Sequence, residues 1–108
     1  WVIVKPSGSD DTDLLQAALN SGARYVGLLN EKDFIVKETL KVNGPDSLGN
    51  VELIYGHMTN VIFNGDISRK APYTKANDYV GFHLYTGQHD QLIFNGLQLL
   101  SRSPQDGN

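Results

Sequence analysis

Twelve carboxylates, three histidines and no cysteine bound the chemistry open to this chain of 108 residues. Without cysteine there is no disulfide, no thiol nucleophile and no thiolate-bound zinc. Hydrolysis of a glycosidic bond needs two carboxyls ~5 to 9.5 Å apart. Elimination needs a base beside an acidic C–H and a donor or cation cluster on the neighbouring carboxylate. Which side chains meet is suggested by an internal repeat, in which residues 51 to 65 (VELIYGHMTNVIFNG) align without a gap on residues 82 to 96 (FHLYTGQHDQLIFNG), an offset of 31. By that alignment Asp66 matches Leu97 and Asp90 matches Thr59, so neither gains an acidic neighbour. Glu52 falls beside His83, an acid–base pair in principle, but a cross-strand charge pair on the outer face is the favoured reading. His57 matches Gln88 and His89 matches Met58, so the histidines do not stack and have no metal-ligand spacing. No catalytic, cofactor-binding or metal-ligating residue is assigned.

Other polar and aromatic residues have plainer readings. Asp10-Asp11-Thr12-Asp13 lacks the glycine and terminal glutamate of an EF-hand loop, and helix capping accounts for it. Asn64 and Asn95 are expected to form a hydrogen-bonded ladder, with a sugar contact as the minor alternative. Tyr73 and Tyr79 frame an inserted loop and offer rings on which a sugar could stack, or anchors for the loop itself.

The elements that must carry these residues read as follows. Trp1-Val2-Ile3-Val4 is a short strand ended by Pro6 and Gly8. A helix over 11 to 21 follows, with acidic residues at its start, an apolar stripe of Leu14, Leu15, Ala18 and Leu19, and Gly22 as a left-handed stop. From Arg24 onward, apolar runs of strand length alternate with turn residues, and no second long helix is predicted. Six of the fifteen aligned repeat positions are identical, where ordinary residue usage gives on the order of one. Such self-similarity predicts stacked units, with Phe63 beside Phe94 and Asn64 beside Asn95 in parallel neighbouring strands.

A net charge of −3 gives no electrostatic footprint for nucleic acid. No apolar run approaches the ~20 residues of a membrane span, and no signal-peptide pattern is present.

Asp10-Asp11-Thr12, Leu15-Gln16-Ala17-Ala18, Gly22, Tyr25-Val26, Phe34-Ile35-Val36, Thr39-Leu40 and Asn50-Val51-Glu52-Leu53-Ile54-Tyr55-Gly56 together resemble the opening of the pectate-lyase superfamily. These are parallel β-helices found in phage tailspikes and in polysaccharide lyases and hydrolases. The resemblance implies an all-β fold, a right-handed parallel β-helix with a short N-terminal capping α-helix. The whole of 1 to 108 is then one domain, with a cap over 1 to 23 and first coils over 24 to 108, forming the opening part of a longer chain. The implied function is that of the starting segment of an extracellular or virion-borne polysaccharide lyase or hydrolase. This segment is expected to be inactive alone and to meet polysaccharide through the full-length protein, for which tailspike kinship suggests a homotrimer. The alternative is a non-enzymatic structural or receptor-binding module of a phage tail appendage.

Overall fold

The computed structural model describes residues 1–44, 49–64, 82–84 and 92–101. Val2–Val4 forms β1, Thr12–Leu19 α1, Tyr25–Leu28 β2, Phe34–Val36 β3, Leu40–Val42 β4, Leu53–Phe63 β5, Phe82–Leu84 β6 and Ile93–Ser101 β7. All the strand pairings are parallel. The long strand β5 organises them: its first half lies beside β2, its second half beside β3, and β7 runs along its other side. β1 extends the sheet beyond β2, and β4 pairs with β6 in a separate two-stranded sheet.

This arrangement corrects the expected fold class. Among the described residues the chain is a mixed structure, with one helix, a five-stranded parallel sheet and a two-stranded sheet, not an all-β closed solenoid. The repeat also fails to set the register. Phe94 lies opposite Ile54, Asn95 opposite Tyr55, and Phe63 opposite Ser101, so the expected Asn64–Asn95 ladder does not form. The physical reason lies in where the shared Ile-Phe-Asn-Gly falls. The first copy, Ile62-Phe63-Asn64, ends β5, whereas Ile93-Phe94-Asn95-Gly96 begins β7. Two copies at opposite ends of adjacent parallel strands cannot stack. Phe63 and Phe94 instead sandwich Phe82, at ring separations of 5.2 and 5.1 Å.

Alternation along the strands decides what is buried. Val26, Leu28, Phe34, Val36, Leu40, Val42, Ile54, Val61 and Phe63 point into one core. Leu15, Ala18 and Leu19 of α1 join them, while Leu14, expected in the same stripe, is 45% exposed. The helix is shorter than expected and differently capped. Asp10 Oδ1 accepts from the Thr12 amide at 3.0 Å and the Thr12 hydroxyl at 2.5 Å, while buried Asp11 turns back to accept from the Ser7 amide. Gly22 does adopt positive φ, 93°.

Two side-chain amides imitate a neighbouring strand. Gln16 donates to the Lys41 carbonyl at 2.8 Å and accepts from the Lys41 amide at 2.9 Å, pinning α1 to β4. Asn43, itself in the left-handed region at φ 56°, makes the same pair of bonds to Val51 at 3.0 and 2.9 Å. That clasp leads the chain into β5, whose path is broken by Met58 at φ 53° and a register shift between Tyr55 and Thr59. There the buried Thr59 hydroxyl donates to the Leu28 carbonyl at 3.1 Å.

Candidate functional site

Because β1, β2 and β5 run parallel, residues one step ahead of a buried position align on the outer face. Val2 pairs with Val26, so Trp1 comes beside Tyr25, and Ile3, Gly27 and Tyr55 share the next outward row. The Trp1 ring stacks on Tyr55 at 5.9 Å with 26° between planes, and meets Tyr25 edge-on at 6.4 Å. Both separations lie in the favourable range for aromatic pairs. Trp1 remains 77% exposed, which leaves one indole face open.

Gly27 makes this cluster flat. A Cβ there would lie 2.7 Å from Tyr55 Cζ and 2.8 Å from Ile3 Cδ1, so the missing side chain is the space in which the Tyr55 ring rests. An interior strand glycine often marks such a close approach.

Polar groups rim the aromatics. Arg24 lies over the Tyr25 ring, 5.6 Å from its centroid, a cation–π distance. Its Nε and one terminal nitrogen both donate to Glu52 Oε2, at 2.7 and 2.6 Å. That hydrogen bond, and then the charge of the Glu52 carboxylate, raises the guanidinium pKa above its ordinary value. The backbone fixes the pair, since the Arg24 carbonyl accepts from the Glu52 and Leu53 amides at 2.8 and 3.1 Å. Trp1, Gly22, Ala23, Arg24, Tyr25 and Asn50 line an open depression of about 520 Å³ beside the rings. An apolar floor with convergent polar groups is the usual make-up of a small-ligand site.

The residues weighed from sequence fall elsewhere. Asp66, Tyr73, Tyr79, His89 and Asp90 lie outside the described residues. Glu52 pairs with Arg24, while His83 is aligned in the backbone with Lys41 of β4. His57 is exposed, and its amide donates to the Thr59 hydroxyl at 3.2 Å. Among the described residues no three His, Asp or Glu side chains are grouped to hold a metal ion, and no helix is long and apolar enough to cross a membrane.

Sequence reasoning passed over Trp1, Tyr25 and Tyr55. Two signals pointed to them: Trp1 and Tyr25 each stand one residue before an apolar run, and Gly27 interrupts the second run. Comparisons with protein-family models, with curated proteins and with solved structures find no match to this chain.

Proposed function

We propose that this chain is part of an extracellular or virion-borne carbohydrate-active protein, of the kind found in phage tailspikes and secreted polysaccharide lyases or hydrolases. Its own contribution is to hold polysaccharide on the Trp1–Tyr25–Tyr55 surface. The observation that carries this reading is the open indole face backed by Tyr55 and rimmed by Arg24, Glu52 and Asn50. A pyranose presents a C–H face that packs on an aromatic ring while its hydroxyls radiate to polar groups at the edge. No catalytic step is assigned to these residues.

The test is retention of the protein in native gels cast with bacterial capsule, O-antigen and plant cell-wall polysaccharides, with reducing ends and unsaturated-product absorbance followed in parallel. Retardation without turnover is expected, and Trp1→Ala or Tyr55→Ala should abolish it. Mobility unaffected by every polymer would overturn the reading. A second reading, a structural module of a tail appendage, is favoured by the apolar residues exposed on β7, among them Ile93, Leu99 and Leu100.

A further inference from the structure

The charge state of the rim narrows the kind of sugar this surface takes. Among the described residues Arg24 is the one basic side chain lining the depression, and two of its three nitrogens already donate to one oxygen of Glu52. A sugar carboxylate that took the remaining nitrogen would share the guanidinium with Glu52 and bring a second negative charge to a cation already paired. Like charges brought together in a contact disfavour the wrong partner strongly. A neutral pyranose meets no such obstacle. Its hydroxyls can donate to Glu52 and accept from Arg24 without parting the pair, while its C–H face lies on Trp1. The flatness imposed by Gly27 suits a ring whose hydroxyls are equatorial and whose faces are therefore free of axial oxygens.

We infer that, given the polysaccharide-binding reading above on which this rests, the Trp1–Tyr25–Tyr55 surface selects neutral, β-linked pyranose chains with equatorial substituents and rejects uronate chains, the Arg24–Glu52 pair acting as the selector. Selection works through Glu52 and not through shape, so removing its charge frees Arg24 to receive an anion.

Trp1 is the only tryptophan in the chain, so its fluorescence reports this surface directly. The experiment titrates the protein, N-terminally acetylated so that no α-amino charge stands beside Trp1, with neutral hexaoses of β-1,4-linked glucose and xylose and with β-1,4-linked hexaglucuronate, which differs from the glucose chain only in its carboxylates. At least one neutral hexaose should shift the Trp1 emission, with an affinity that changes less than about twofold between ~0.02 and ~0.5 M salt, because no ion pair forms on binding. Hexaglucuronate should bind at least about tenfold more weakly. Glu52→Gln should gain hexaglucuronate binding that weakens as salt rises, the signature of an unmasked Arg24. Wild-type protein that binds hexaglucuronate as tightly as any neutral chain would overturn the selector while leaving the sugar-binding surface standing, as would a Glu52→Gln variant that gains nothing. No emission change with any sugar, neutral or acidic, would overturn both.

Discussion

Gly27 illustrates how one residue can set a surface without touching a ligand. The contacts that a methyl group would make there are with the far ends of two flexible side chains, Tyr55 and Ile3, not with backbone. Gly27→Ala is therefore expected to fold, with a melting temperature within a few degrees of wild type, while the Tyr55 ring is pushed from under Trp1. Near-ultraviolet circular dichroism should lose the Trp1–Tyr55 contribution as the far-ultraviolet spectrum stays unchanged; an unaltered near-ultraviolet spectrum would mean that the rings do not stack. Gly96 behaves differently. At φ 74° an added Cβ would lie 2.0 Å from the Gly56 carbonyl oxygen, a backbone atom that cannot move aside, so β5 and β7 meet there only because neither residue has a side chain.

At the scale of elements, α1 is held to the sheets by two contacts of unequal worth. Leu15 is 3% exposed and sits in the core, whereas Gln16 makes its two bonds to Lys41 at the surface. Leu15→Ala should lower the unfolding free energy by ~2 to 5 kcal/mol, for lost burial plus the cavity left behind. Gln16→Ala should cost no more than about 1 kcal/mol, because water can satisfy the exposed Lys41 groups. Urea denaturation distinguishes them, and an equal cost would mean that the helix is held chiefly by its polar clasp. These elements were legible in sequence because local chemistry fixes them: the acidic start, the 15–18–19 stripe and Gly22 all act within a few residues. Register was not legible. The apolar alternation of Leu53–Phe63 and Ile93–Ser101 suits several parallel alignments, and the repeated Ile-Phe-Asn-Gly pointed to one that the sheet does not use. The aromatic surface was hidden for the same reason, since Trp1, Tyr25 and Tyr55 become neighbours only through the pairing of three strands distant in sequence.

The whole molecule has one flank that its own described residues leave open. Among them β7 pairs with β5 alone, and its sequence, Ile93-Phe94-Asn95-Gly96-Leu97-Gln98-Leu99-Leu100-Ser101, holds no charge and no proline. Ile93, Leu99 and Leu100 are exposed. Edge strands of this composition pair readily with other chains, because unpaired amides and carbonyls are offered beside apolar side chains. The protein is therefore expected to self-associate as its concentration rises, and Leu99→Lys should shift it toward monomer in sedimentation velocity. A wild-type protein that stays monomeric, or a variant that associates equally, would locate any association elsewhere. The resemblance drawn from sequence anticipated parallel pairing, which every strand pair obeys; it did not anticipate that β5 would serve three neighbours at once in an open sheet.

The Asn43 clasp has a bearing on how this protein ages. Asn43 is followed by Gly44, the neighbour that least hinders a backbone nitrogen from attacking the asparagine side chain, expelling ammonia and closing a succinimide that opens to aspartate or isoaspartate. Asparagine is among the residues most prone to such damage. In the folded chain the amide is tethered at both ends to Val51, which holds its carbon away from that attack. Cyclisation at Asn43 thus requires the clasp to open first. The damage also weakens the clasp, because the carboxylate so formed can still accept from the Val51 amide but has no proton to return to the Val51 carbonyl. Each opening that ends in deamidation leaves a clasp with one bond in place of two, which parts more readily thereafter.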